Sequence, residues 1–488
     1  MKLTFSVFIL LVVFSGQCLA TIFHGILLQN ESRGPAVANA RITADGTQTV
    51  ISGVDGRFDL NFPEKPPETQ ISLVLTKEGL VVVHSIMLHP ILKAETNASP
   101  TIILMCKPAE REEIAGRYFR WRAEEVIDNR FEEKTKELAH EANVPLAYAR
   151  LQEKTQHASA IAHEAAEELA RNEPSNPPEA FQQAMTLLFN QKPDRALEIL
   201  GNSNLESQSP SAKIGSLDLA RDYKLKGELL ALNFQFEEAV GAYSRAALLV
   251  TNDVTANFQL GLLYQAVDNG KKAEDSYSHC LKLARDSGDH LAVAKALNKL
   301  GEIHLRPTQM DQAHGEFEEA LQVSRQLASK DPQKYSSTAA VALENLGRFY
   351  DYKFQWTNAF NAHAEALKIY RDLATNDPDE YLPHVAANLN ALANYYADEN
   401  RWLEASRMFE EALKFRRQLA KSFRKYFPDV AMTLKNLGYM YYEQNRRNDS
   451  RKAYEESLQI YKALAKDTPD VFGPSVKSVQ DDINSFAK

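Results

Sequence analysis

The spacing of hydrophobic positions changes character along the chain. From Thr21 to Cys106, short apolar and β-branched runs are divided by polar turn residues: IFHGILLQ, ARITA, TVISGV, RFDLNF, ISLVLTK, LVVVHSIML and TIILMC. These runs predict seven strands. Asp45-Gly46 and Asp55-Gly56 supply residues that accept positive φ in tight turns, and Pro63 to Pro67 reads as a loop. Strands this close, with no helix between them, imply a small antiparallel β-sandwich over residues 21–107. The period then becomes helical. Ile114, Tyr118, Trp121, Val126, Ile127, Phe131 and Leu138 fall mostly three to five residues apart, and an Ala-rich stretch follows Pro145 until Asn172–Pro178 breaks the pattern. Residues 108–175 are therefore expected to form a helical connector that carries the β domain semi-rigidly.

From residue 176 one phrase recurs. Aligned on a small residue, its copies centre on Gly227, Gly261, Gly301, Gly347, Ala393 and Gly438, at intervals of 34, 40, 46, 46 and 45. Twelve positions on stand Ala239, Ala273, Ala313, Ala359, Ala405 and Ser450. Four further come Tyr243, Tyr277, Phe317, His363, Phe409 and Tyr454, and three further Ala246, Cys280, Ala320, Ala366, Ala412 and Ser457. The physical reading is a helical hairpin: a small residue on helix A lets helix B approach, an aromatic fills the space between, and the alanines of helix B accept the next hairpin. A degenerate earlier copy begins with Ala184, Leu187 and Ala196, and Val476, Val479, Ile483 and Phe486 mark one face of a C-terminal capping helix over 471–488.

These residues identify the array over 176–470 as similar to tetratricopeptide repeats. Tyr335, Tyr381, Tyr426 and Phe472 rhyme at 46, 45 and 46 residues, with Pro383, Pro428 and Pro474 following the last three. That rhyme resembles the long repeats of the kinesin-light-chain type. The phrase GPAVANARITADGTQTVISGVDGRFDLNFP, followed by KEGLVVV, resembles the carboxypeptidase regulatory-like domain, a transthyretin-like sandwich. The resemblances imply a multidomain protein, a β-sandwich followed by an all-α superhelix.

Composition changes this picture little. A formal net charge of -9 without a basic stripe argues against nucleic acid as a partner. Residues 1–20 carry Lys2, an apolar run from Val7 to Phe14 and a Cys18-Leu19-Ala20 ending. They read as a signal peptide cleaved after Ala20, with an uncleaved or lipid anchor as alternatives, so a periplasmic or secreted location is expected. No later stretch reads as a membrane span. Cys106 and Cys280 have no metal or disulfide spacing, and Cys280 reads as a small core side chain. Sequons at Asn30, Asn97 and Asn448 count only in a eukaryotic secretory pathway.

Neither nucleotide loops nor a Gly-x-Ser-x-Gly elbow, calcium loops, cysteine knuckles or zinc-ligand pairs occur, so no catalytic residue, cofactor or metal is expected and the protein reads as a non-enzyme. His24, His84 and His89 read as strand or loop histidines, and His157 and His163, six apart, do not share a helix face. Helix A should line a concave groove whose facing pairs are Lys224/Glu228, Phe258/Leu262, Asn298/Glu302, Glu344/Arg348, Asn390/Asn394 and Lys435/Tyr439. Asn390 and Asn394 suit an extended peptide backbone, with Arg348 and Lys435 placed for a carboxylate; in the bland alternative Glu344 and Arg348 pair with each other. The expected function is an exported scaffold that binds a peptide or protein segment in the groove. The alternatives are an envelope or cell-wall glycan-binding sandwich with the repeats as spacer or homo-oligomerisation arm, and a degenerate peptidase.

Overall fold

The computed structural model describes residues 21–32, 34–93, 100–138, 141, 143–171, 179–189, 192–202 and 216–486. The leader, the Asn97 sequon and the break at Asn172–Pro178 lie outside the described residues. The chain divides into two compact units, residues 1–115 with 170–177, and residues 116–169 with 178–488.

The first unit contains the seven strands: β1 (Thr21–Gln29), β2 (Arg41–Ala44), β3 (Val50–Ile51), β4 (Arg57–Phe62), β5 (Leu73–Thr76), β6 (Val81–Val82) and β7 (Thr101–Cys106). They form a sheet of order β4-β1-β7-β6 and a second of order β3-β2-β5. Period-two alternation is cleanest in β4, where Phe58, Leu60 and Phe62 are buried and Arg57, Asp59 and Asn61 are exposed. Gly46 and Gly56 have φ of +82° and +76°, as their turns require. One pairing departs from the antiparallel pattern. The sandwich is not wholly antiparallel, because β7 runs parallel to β1, with Gly25 opposite Thr101 through Gln29 opposite Met105. Parallel pairing joins strands distant in sequence, so hairpin spacing carries no sign of it.

The second unit is helical. Two long helices, α1 (Arg111–Glu137, beginning in the first unit) and α2 (Val144–Arg171), precede α3 (Glu179–Phe189) and α4 (Pro193–Asn202). The two long helices are separate, and Pro145 falls at the start of the second. It sits in the first turn of α2, where its missing N–H costs nothing. Six hairpins follow: α5/α6 (Ser216–Leu232, Phe236–Leu249), α7/α8 (Val254–Ala266, Gly270–Ser287), α9/α10 (His290–His304, Met310–Ala328), α11/α12 (Pro332–Tyr352, Trp356–Ala374), α13/α14 (Pro378–Asp398, Trp402–Ala420) and α15/α16 (Phe427–Glu443, Arg447–Asp467). Helix α17 (Pro469–Phe486) ends the array, with Val479 buried and Val476 and Ile483 packed on the same cluster.

The repeat register is the one the small residues imply. Every alanine, serine, cysteine and aromatic of the three aligned columns is buried. A β-carbon added at Gly227, Gly261 or Gly301 would stand 2.4, 2.3 and 2.4 Å from the rings of Tyr243, Tyr277 and Phe317. Where serine replaces alanine its hydroxyl is satisfied: Ser450 donates to Gly438 O at 2.8 Å and Ser457 to Ala431 O at 2.7 Å. Cys280 is buried, and burial pushes its thiol up to about 12. The extra residues of the later repeats lengthen the helices, and Asp331-Pro332 and Asp377-Pro378 restart them with an aspartate N-cap and proline in the first turn.

Candidate partner-binding surface

The groove is not empty. Residues 116–169, which hold most of α1 and α2, belong to the same compact unit as the repeats and lie along helix A residues of successive hairpins. On α1, Arg117 donates to Asn376 O at 2.7 Å, and Arg120 bridges Asp377 at 2.6 Å and Glu380 at 3.0 Å. Asp128 accepts the backbone N–H groups of Arg424 and Lys425 at 2.8 and 2.7 Å, just before α15, while Glu124 pairs with the Lys425 ammonium. On α2, Glu164 and Glu167 hold Lys295 at 2.9 and 3.0 Å, Glu168 pairs with Lys224, and the carbonyl of Ile161 accepts from Gln259 at 3.2 Å. At the far end Tyr148 stacks edge-on against Phe472, with ring centroids 5.3 Å apart.

Close approach is possible because the face α2 presents is small. Ala158, Ala162, Ala165 and Ala166 are all buried. An Ala stripe beside Glu164, Glu167 and Glu168 was the available sequence signal, since a solvated spacer helix has no need of one; which face received it was not legible.

The electrostatics follow from dry ion pairs. Burial opposes charge on His163, but Glu380 at 3.1 Å and Glu167 at 3.4 Å outweigh it and raise the imidazole to about 10. Burial likewise opposes ionisation of Glu380, yet His163 and Arg120 bring it down to about 2. His163, Glu164 and Glu167 are close enough together to hold a cation, and the cation two of them grip is the Lys295 ammonium.

Glu228 behaves oppositely. It is buried, with Tyr243 Oη donating to it at 3.4 Å; desolvation and the neighbouring Glu168 raise its pKa to about 8, against the pull of Lys224. The native state therefore holds a proton that the unfolded chain releases near 4.5, so stability falls as pH rises from 4.5 to 8. Glu228→Gln removes that dependence. Thermal unfolding at pH 8 is expected to show the variant more stable than wild type, by on the order of 1–3 kcal/mol, with the gap closing toward pH 5. A constant gap across that range counts against the assignment.

The other groove residues divide into two groups. Phe258, Leu262 and Asn298 are buried, and the Asn298 amide, 2 % exposed, makes no hydrogen bond among the described residues. Glu302 accepts from Lys299 and Asn345. Glu344 does not pair with Arg348. It accepts from Tyr370 at 2.8 Å and Asn388 at 2.6 Å and faces His384 at 3.3 Å. Lys435 is engaged by the cap, 2.8 Å from Ser478 and 3.4 Å from Asp482. Asn390 is half-buried. Arg348, Asn394 and Tyr439, which occupy one equivalent position in three successive hairpins, remain exposed. Tyr352, Phe354 and Trp356, at the end of α11 and the turn into α12, are 60, 74 and 52 % exposed.

Residues 253–326, 339–379 and 384–463 match models of the tetratricopeptide repeat. The five hairpins from α7/α8 to α15/α16 fall in the matched residues and are tetratricopeptide repeats, a class that builds protein-binding scaffolds and is typically non-catalytic. Those models leave residues 21–107 unmatched, and no curated protein sequence matches the chain significantly. Among solved structures the chain is similar to the apo form of RapI (14 % identity, 59 % of this chain and 98 % of that one, TM-score 0.42). It is also similar to a Rap protein complexed with competence and sporulation factor (13 %, 69 % and 98 %, 0.40), and to a putative Podospora anserina kinesin light chain with nearly identical repeats (14 %, 40 % and 95 %, 0.32). Among the described residues no helix is long and apolar enough to cross a membrane.

Proposed function

We propose that this protein is an exported, non-enzymatic scaffold that binds an extended segment of a partner along the exposed part of the helix A surface, at Arg348, Asn394 and Tyr439. The observation that carries this reading is the division of one structural position: in the first three hairpins Glu228 and Leu262 are buried and Glu302 is engaged, whereas in the last three the side chains stay exposed. An arginine, an amide and a tyrosine spaced along successive hairpins offer charge, backbone hydrogen bonding and ring contact to a peptide. The leader supports export, and the two-sheet arrangement of residues 21–106 supports a carboxypeptidase regulatory-like N-terminal domain.

The test is site-specific photocrosslinking in the native host, with the crosslinker at Asn394 or at exposed Arg407 on α14. A discrete partner adduct is expected from position 394, reduced at least tenfold in an Arg348→Glu/Tyr439→Ala background. Equal adducts from both positions, or no loss in that background, would rule the surface out.

A further inference from the structure

The N-terminal domain contains a cleft that the repeats do not explain. From Glu68 to Leu92 the chain doubles back on itself. One end of the pair is closed by Ile71 N–H to Pro90 O at 2.9 Å and Leu92 N–H to Thr69 O at 2.9 Å. The other is closed by the turn in which Leu80 N–H reaches Lys77 O at 3.2 Å and Gly79 takes φ of +75°. Between these ends the two segments part, because β5 is the edge of one sheet and β6 the edge of the other. The opening encloses about 790 Å³. Its floor includes half-buried Leu75, Val82 and Leu88, and its rim carries Arg41, Lys77 and Arg111 against the single carboxylate Glu78.

Two of these cations are held in place. Lys77 donates to Ala38 O at 2.8 Å and Arg111 to Val83 O at 3.1 Å, while Arg41 is exposed. Charged residues beside an edge strand can serve merely to discourage pairing. An apolar floor between two edges, ringed by like charge, does more: it leaves aliphatic surface accessible and attracts anions.

We infer that this cleft is a binding site for an extended acidic peptide segment, which adds to the outer edge of β5 while its alternate apolar side chains rest on Leu75, Val82 and Leu88 and its carboxylates meet Arg41, Lys77 and Arg111. The four residues of β5 match a ligand strand of about four or five residues, at roughly 3.3 Å per residue.

Fluorescence anisotropy of the full chain with a labelled (Val-Glu)3 peptide tests this. Saturable binding is expected, at least tenfold stronger than for (Val-Lys)3 or for polyglutamate. Arg41→Glu, at an exposed position, should weaken it at least tenfold without changing thermal stability. Of two (Val-Glu)3 peptides, one N-methylated on its valines and one on its glutamates, at least one should lose binding, because an added strand offers alternate N–H groups to β5. Three results would each overturn the proposal: no binding of (Val-Glu)3, equal binding of polyglutamate, or undiminished binding by Arg41→Glu. Undiminished binding of both N-methylated forms would likewise overturn it, because it excludes strand addition.

Discussion

Replacing Gly301 with valine is expected to cost the repeat array about 3 kcal/mol or more, seen as a lowered unfolding midpoint in denaturant. The β-carbon would stand 2.4 Å from the Phe317 ring, which is fully buried between Ala313 and Ala320 on its own helix and the facing helix A. The ring has nowhere to go, so the helices must part, and overpacking of a tight core typically costs 1–3 kcal/mol before the extra branches of valine are added. Ala393, which takes the same place opposite Phe409, shows that a hairpin built around a methyl group is tolerated when its own packing is adjusted to it. The control is Gly315, in the interior of α10, where an added β-carbon meets nothing within 4 Å. Gly315→Ala should stabilise by roughly 0.5–1 kcal/mol through helix propensity alone. If both substitutions shift stability in the same direction, the close-packing account of the repeat is wrong.

Lys295→Met should release α2 from the array. Its ammonium is the shared counter-charge of Glu164 and Glu167, all three side chains being largely buried, and removing it leaves Glu164 without that counter-charge and Glu167 with His163 alone. Breaking a buried pair from one side costs about 3–5 kcal/mol. Hydrogen exchange across 144–171 should rise sharply while exchange in α11 to α16 changes little. Adding Glu164→Gln and Glu167→Gln should restore most of the protection, because it removes the stranded charges; failure of that rescue would place the effect in lost packing instead. The neighbouring groups set a pH window for the same contact. Glu380, lowered from 4.5 to about 2, contributes stability above pH 4.5 that is lost as pH falls toward 2. His163, raised from 6.5 to about 10, contributes below pH 6.5 and loses that contribution as pH rises through 10. Protection of α2 should therefore be greatest between about pH 4.5 and 6.5 and decline on both sides.

Helices α1 and α2, docked on helix A residues, change what that surface can do. Positions such as Lys224 and Asn298 are legible as groove residues from their place in the repeat, and they do face inward; what they face is the chain itself. Of the helix A positions one residue after the small residue of each repeat, only Arg348, Asn394 and Tyr439 in the last three hairpins remain exposed, which is why the proposed partner surface is placed there.

The sequence by itself determined the repeat register, because a small residue, an aromatic and two alanines at fixed offsets are local requirements of one hairpin, and each column proved buried. It likewise determined the strands of the first domain, since period-two burial and Asp-Gly turns are written within a few residues of one another. Tertiary structure alone decided the rest. The parallel pairing of β1 with β7 joins residues about 76 apart, such as Gly25 and Thr101. Asp128 finds its donors at Arg424 and Lys425, nearly 300 positions away. Repeats encode how neighbours stack; which remote helix the resulting surface accepts depends on where the chain returns, and no local period records that.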